Sequence, residues 1–460
     1  MMLFTPSPLL IDTLRQRRKK LSYLIDFPAV LWSGRAVSRN FPANIYSFRA
    51  SSHFLYFAGF PLENAVIRLD QGRLELFMDD PPEGSTLWHG EMPQRNQIAE
   101  LIGADAHYSL KELSNYLQDA ATIVVQNPIT ATEQRQRLNC PLVSASTPEG
   151  IDLELTNAII TLRLTHDEAA LKELRQAAEV SVEAHKAGMK ATKTAELEAE
   201  IRAAMEGVIM SHNMTCSYNS IVTVYGEVLH NNHYHHPLKP GDLLLADVGA
   251  ETEMGWAADI TRTWPVSGTF SSTQRDIYQV VLKAHDTCID SIMPGIEYED
   301  IHRIAAMVIA EGLVELGILN GSPEDLVEQD AHTLFFPHGI GHLLGLDVHD
   351  MEDLGDLAGY EPGRVRSQRF GWCFLRLNRP LKPGMLVTIE PGFYQVPAIL
   401  NDPKNRKKYQ KQVNWERLEQ FADVRGIRIE DDILVTEKGT EILTKNLPTS
   451  MEEIEALIQQ

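Results

Sequence analysis

Apolar positions divide the chain into two kinds of stretch. Before about residue 150 the apolar runs are short. Residues 65–69 and 73–78 flank the turn Asp70-Gln71-Gly72 and predict a β-hairpin, and residues 121–125 predict a further strand, together a mixed α/β unit. Residues 141–150 are rich in Pro, Ser, Thr and Gly and lack periodicity, which predicts a linker and places a domain boundary near residue 155. Beyond it, Thr165 and Glu168 form a capping-box signature, and Ala169, Leu171, Leu174, Ala177 and Ala178 recur at helical spacing, predicting a long helix. Helical patterns over 196–210, 273–292 and 298–316 then alternate with β-rich runs over 243–248, 385–389 and 426–435. Residues 156–460 are therefore expected to form an α+β domain with helices covering one face of an antiparallel sheet.

Composition narrows the function classes. Hydrophobic residues at 43% and charged residues at 23% are ordinary globular usage, and a net charge of −21 disfavours nucleic acid and anionic lipid as partners. The one basic cluster, Arg15, Arg17, Arg18, Lys19 and Lys20, is expected to be the solvated face of a first helix, with a nucleic-acid arm as the minor alternative. Apolar residues precede these charges, the reverse of a secretory signal, and no apolar run approaches the ~18 residues of a membrane span. Cys140, Cys216, Cys288 and Cys373 are scattered without a C-x-x-C pair, as expected of buried free thiols in a reducing cytoplasm.

Five acidic or imidazole positions stand in or directly after segments that read as buried. Asp247 ends the run Leu243-Leu244-Leu245-Ala246, where an ionised carboxylate needs a cation or hydrogen bonds; a turn-starting Asp before Gly249 is the plainer reading. Asp259 follows twelve residues later, and an antiparallel hairpin would bring both carboxylates to one face, unless Asp259 simply pairs with Arg262. Glycines on both sides of Ile340 in Pro337-His338-Gly339-Ile340-Gly341-His342 rule against a helical zinc motif and suggest close backbone approach, with His342 as a ligand and His338 and His349 as nearby donors. A lone histidine is more often a satisfied core residue. Glu390 ends a strand before Pro391-Gly392, and alternation through Gly426-Ile427-Arg428-Ile429-Glu430 puts Arg428 and Glu430 on one face, where an ion pair between Arg428 and Glu430 or Asp431 is the competing reading. Four carboxylates and one imidazole form a hard donor set suited to Mn²⁺ or a similar ion, and carboxylates can bridge two ions ~3.5 to 4 Å apart.

These stretches resemble the aminopeptidase P and prolidase family, whose catalytic domain has the pita-bread fold. The resemblance is carried by Asp247-Val248-Gly249-Ala250, Asp259-Ile260-Thr261-Arg262-Thr263, His338-Gly339-Ile340-Gly341-His342, Leu346-Asp347-Val348-His349-Asp350, Thr388-Ile389-Glu390-Pro391-Gly392 and Gly426-Ile427-Arg428-Ile429-Glu430-Asp431-Asp432. Residues 48–60 are similar, more loosely, to the family's non-catalytic domain, so 1–155 are expected to be that domain and 156–460 the pita-bread domain. The resemblance implies two divalent ions, Mn²⁺ by preference, held by Asp247, Asp259, His342, Glu390 and Glu430, with Asp259 and Glu430 bridging.

It further implies hydrolysis of the bond before proline in proline-containing peptides. Glu390 would take the proton from the nucleophile, and His230, His338 and His349 would surround the scissile bond, with His230 and His349 lining a proline pocket. Arg428 would support the ligands, while His233, His235 and His236 match nothing and are expected to be loop residues. An arginine at the position of Arg376, within a prolidase-like insert, would hold a dipeptide's carboxylate, whereas residues 48–60 look more like aminopeptidase P. Relatives commonly form homodimers or homotetramers. The competing classes are a non-catalytic pita-bread binding protein, a metal-free creatinase-like hydrolase and a methionine aminopeptidase; the complete ligand set and the large N-terminal part argue against them.

Overall fold

The structure, a computed structural model, describes residues 8–139 and 143–460; Cys140 and the start of the expected linker, Pro141 and Leu142, lie outside them. The chain divides into two units, one of Met1–Leu171, Glu253–Gly255 and Met351–Ala358, the other of Lys172–Thr252, Trp256–Asp350 and Gly359–Gln460.

The first unit is built on a five-stranded sheet, in the order Ala106–Tyr108, Arg73–Phe77, Val66–Asp70, Ala29–Trp32 and Ala121–Thr122. The predicted hairpin forms with Asp70 opposite Arg73, and Gln71 (φ 50°) and Gly72 (φ 81°) supply the two left-handed residues that a tight hairpin turn needs. The strand expected over 121–125 pairs only through Thr122. The Gln134 side chain takes over beyond it, donating to the Ile123 carbonyl (3.0 Å) and accepting from the Val125 amide (2.9 Å).

The basic cluster is only partly a solvated face. Along the helix Pro8–Leu21, Arg15, Lys19 and Lys20 are exposed, but Arg17 and Arg18 are buried. Arg18 donates to the carbonyls of Phe57 (3.0 Å), Ile102 (2.7 Å) and Gly103 (2.8 Å), which lie at or just past the ends of the helices Ser52–Ala58 and Arg95–Leu101. Helix C-termini leave carbonyls without intrahelical partners and favour a cation, so these arginines are internal fasteners. Arg17 donates to the Tyr56 carbonyl (2.9 Å) and pairs with Asp167 (2.7 Å). Asp167 also corrects the predicted cap: its carboxylate accepts from the Ala170 amide (3.0 Å), so the long helix starts at Glu168 and runs to Ala191. A separate helix, Gly150–Arg163, precedes it.

The second unit combines helices with small antiparallel sheets. One has the order Thr261–Pro265, Leu243–Asp247, Ile221–Thr223; another has the order Leu386–Ile389, Asp431–Thr436, Gly439–Ile442; and Gly392–Tyr394 pairs with Gly426–Arg428. The helix Ser272–Ser291 packs on strands of the last two sheets and on the helix Tyr298–Glu315. These helices approach so closely that a Cβ on Gly312 would come within 2.5 Å of Val280. Of the thiols in the described residues, Cys288 is buried, whereas Cys216 and Cys373 are half-buried rather than buried, and all three are free. No helix among the described residues is long and apolar enough to cross a membrane.

Candidate metal centre

Strand ends deliver the acidic side chains. Leu243–Asp247 is buried throughout and pairs with Thr261–Pro265 so that Asp247 faces Thr261, leaving Asp259 just outside the ladder of the predicted hairpin. The β-rich run expected over 426–435 forms two strands. Gly426–Arg428 pairs with Gly392–Tyr394 and Asp431–Thr436 with Leu386–Ile389, so the break at Ile429-Glu430 lies opposite the break at Glu390-Pro391. Proline has no amide to continue a ladder, and both glutamates sit at this shared discontinuity. Their amides are held elsewhere, Glu390 on the Ile340 carbonyl (2.9 Å) and Glu430 on the Thr261 carbonyl (3.0 Å).

The glycine-flanked histidine segment is non-helical, as its sequence predicts. A Cβ on Gly341 would collide with the Thr388 carbonyl and the Tyr298 hydroxyl, and one on Gly339 would lie 2.9 Å from Leu375 Cα. That proximity lets the His342 amide donate to Thr388 Oγ1 (3.2 Å) and the Thr388 amide to the His342 carbonyl (3.0 Å).

A cavity of about 370 Å³ is lined by His230, Asp247, Asp259, His338, His342, His349, Arg376, Glu390, Arg428 and Glu430, which are all the site residues singled out in the sequence. Ligand atoms lie within 4.8 Å of one another in three overlapping groups: Asp247, Asp259 and Glu430; His342, Glu390 and Glu430; Asp259, His342 and His349. His349, expected only beside the substrate, thus stands at ligand distance too. His233, His235 and His236 lie in the loop that follows His230, with His236 anchored on buried Glu198 (2.8 Å).

The electrostatics call for cations. Burial raises the pKa of Asp247, with Arg428 opposing, and burial likewise raises that of Asp259. Burial and then the neighbouring carboxylates push Glu430 well up and Glu390 up to about 8. His342 Nδ1 donates to the Leu343 carbonyl (3.0 Å), which leaves Nε2 facing Asp259 at 3.4 Å and Glu390 at 3.8 Å. An imidazole oriented through Nδ1 in this way, with Nε2 turned toward carboxylate oxygens, completes a donor set that suits a hard divalent ion.

The competing ion pairs are not made. Arg262 pairs with Asp431 (2.8 Å) rather than Asp259, and Arg428 pairs with Asp247 (2.6 Å) rather than Glu430 or Asp431. Arg428 also donates to Thr261 Oγ1 (2.9 Å), which donates to Glu430 (2.7 Å), and to the Tyr394 hydroxyl (3.0 Å). Tyr394 in turn contacts His338 Nε2 (3.0 Å), while His338 Nδ1 donates to the Gly339 carbonyl (2.7 Å). His338 is therefore neutral, its pKa lowered to about 3 chiefly by burial, and both its nitrogens are engaged. Burial also lowers the pKa of His230.

Two tyrosines escaped the sequence reading. Tyr218 places its hydroxyl against both Asp247 (2.5 Å) and Asp259 (2.7 Å), and Tyr394 links Arg428 to His338. Only the position of Tyr394, two residues past Glu390-Pro391-Gly392, could have hinted at either.

Comparisons with known proteins agree along the chain. Residues 172–437 match Metallopeptidase family M24, and residues 14–126 match the aminopeptidase P N-terminal domain. Human Xaa-Pro dipeptidase is 31% identical, over 93% of this chain and 87% of its own length, and a probable Xaa-Pro aminopeptidase of Coccidioides posadasii is 32% identical over 90% and 88%. Aminopeptidase PepP of Pseudomonas aeruginosa superposes with a TM-score of 0.78 at 29% identity, covering 99% of both chains. A low-pH form of Escherichia coli aminopeptidase P gives 0.80 at 29%, covering 98% of this chain and 99% of its own. With an aminopeptidase P N-terminal domain, the pita-bread fold and a cavity of clustered acidic and imidazole donors, the chain belongs to metallopeptidase family M24 and is a metallopeptidase that works with divalent metal ions.

Proposed function

We propose that this metallopeptidase hydrolyses the bond between an N-terminal residue and a following proline, as an Xaa-Pro aminopeptidase. Residues 156–460 would do the chemistry and residues 1–155 would form the non-catalytic domain. The observation that carries the reading is the convergence of Asp247, Asp259, His342, Glu390 and Glu430 on one cavity, with His230, His338 and His349 beside them. These five side chains would hold two divalent ions, Mn²⁺ by preference for so oxygen-rich a set. Bound there, the ions would polarise the scissile carbonyl and make water reactive near neutral pH.

The protein's own part is positional and acid–base. Glu390, with its carboxylate 3.8 Å from His342 Nε2 in the same cluster, would with the ions bound accept the nucleophile's proton and return it to the leaving amine. Neutral His338, locked between Gly339 and Tyr394, orders the cavity wall and has no proton to spare. His230 and His349 are then the histidines left to donate to the developing oxyanion and to line the proline pocket. Arg428 holds Asp247 in place through its 2.6 Å pair. Proline's tertiary amide offers no N–H for strand-like recognition, so a shaped pocket must replace it.

Arg376 supports a second reading, an Xaa-Pro dipeptidase, because it lines the same cavity and could grip a free carboxylate. With either reading we propose a cytoplasmic enzyme that works as a homodimer or homotetramer. Hydrolysis of Ala-Pro and Ala-Pro-Ala with added Mn²⁺ separates them. Cleavage of the tripeptide is the expected result, cleavage of the dipeptide alone assigns a dipeptidase anchored by Arg376, and metal-dependent cleavage of neither refutes the Xaa-Pro assignment.

A further inference from the structure

The cavity is also lined by apolar residues that the hydrolytic chemistry does not use, Leu229, Pro337, Phe370, Phe374 and Ile399. Phe370 and Phe374 are 45% and 51% exposed, and their rings meet edge to face with centroids 6.0 Å apart. Exposed paired aromatics that line a cavity are an open apolar surface, which gains free energy when another apolar group covers it.

The segment presenting them is fastened firmly. Between the two rings, Trp372 is only 3% exposed; it meets His302 edge-on (4.7 Å) and carries the guanidinium groups of Arg303 (5.1 Å) and Arg369 (5.2 Å) on its ring. Arg369 is held by Asp330 (2.6 Å). Gly371 has φ +82°, and a Cβ there would come within 2.6 Å of Thr333, so the turn seats only with glycine at this position. The amides of Phe374 and Leu375 donate to the Gly371 and Trp372 carbonyls (both 3.1 Å), and Arg366 donates to the carbonyls of Cys373 (3.0 Å) and Leu375 (2.7 Å). Such a frame holds two rings in fixed orientation without burying them, a preorganised surface for a ligand.

We infer that Phe370 and Phe374 form a specificity wall for the residue that precedes proline, favouring peptides with a large apolar side chain there over those with a charged one. This inference rests on the Xaa-Pro reading above. The preceding residue fits the wall better than proline does. Proline is small and the same in every substrate, so its pocket can be closed, whereas rings that stay half open suit a side chain of variable length whose tip reaches toward solvent.

The test uses the Mn²⁺-loaded enzyme and whichever series it cleaves, Xaa-Pro or Xaa-Pro-Ala, with Xaa as Leu, Phe, Ala, Lys or Asp. The wild type is expected to prefer Leu and Phe over Lys and Asp by about tenfold or more in kcat/KM, the scale of an apolar-pocket selection. Phe370→Ala with Phe374→Ala is expected to remove most of that preference, mainly through KM, while leaving Ala and Lys substrates within about twofold and the Tm unchanged. Phe374→Leu, which keeps an apolar side chain, is expected to recover part of it. An equal loss for every Xaa, or no change in the preference, would overturn the inference. Failure of the wild type to cleave any member would instead remove the Xaa-Pro reading beneath it.

Discussion

Glu430 and Asp431 are neighbours in sequence and equally buried, each 2% exposed, yet their surroundings push them in opposite directions. Glu430 faces Asp259, Glu390 and Asp247, and burial with their repulsion raises its pKa far above the ordinary carboxylate range. Asp431 accepts two hydrogen bonds from Arg262 (2.8 and 3.0 Å) and one from Thr444, and Arg262 holds it well below that range despite its burial. Burial of an acid is therefore no sign of function by itself. The useful sign is burial that the chain leaves uncompensated, because that deficit is what a cation fills.

The sharpest way to break the contrast is to neutralise one acid on the uncompensated side. Asp259→Asn is expected to lower kcat/KM on an Xaa-Pro substrate by about a thousandfold or more, without lowering the Tm of the metal-free protein, since a repelling charge is lost. Steady-state hydrolysis and thermal melting measure the two arms, and a variant retaining a tenth of the activity would dissociate this cluster from catalysis. On the compensated side the expectation reverses. Arg262→Met leaves Asp431 to His285 and Thr444 alone, takes the donor from the carbonyls of Thr261, Glu430, Leu447 and Pro448, and should cost about 3–5 kcal/mol in urea unfolding. Adding Asp431→Leu should restore only part of that loss, since the four carbonyls keep their deficit and His285 loses its partner; if the double variant is no more stable than the single one, the pair is not what Arg262 contributes.

A smaller effect distinguishes both acids from a third kind of buried group, the neutral imidazole. Burial lowers the pKa of His302 to about 3 and that of His332 to about 4. Below pH ~6.5 the unfolded chain binds protons at these rings and the folded chain does not, so stability should fall as pH drops from about 6.5 toward 4. His302→Phe should flatten that slope in a series of urea melts, and an unaltered slope would exclude His302 as its source.

What the sequence made legible follows the same logic. Asp247 closing a run of leucines and Glu390 followed by Pro391-Gly392 are conspicuous because acids are rare in such places, and the glycines around Ile340 announced close packing. The split of residues 426–435 was hidden, since the alternation continues through Ile429; only the partner strand's proline forces the break. Arg17 and Arg18 read as solvated because charge runs usually are, and the carbonyls they satisfy belong to helices distant in sequence. Tyr218 and Trp372 lack any local signature, their partners being set by tertiary structure alone.

The bond from His342 to the Leu343 carbonyl also has a kinetic consequence. A ring already oriented need not search rotamers when an ion arrives, which leaves the ion's shedding of its hydration water among the steps that set the rate of capture. Water exchange is slow on small, strongly hydrated Mg²⁺. A site shaped in advance would therefore load soonest with the divalent ions whose water leaves fastest, and discrimination among cellular metals would begin in the rate of filling, before any difference in final affinity is felt.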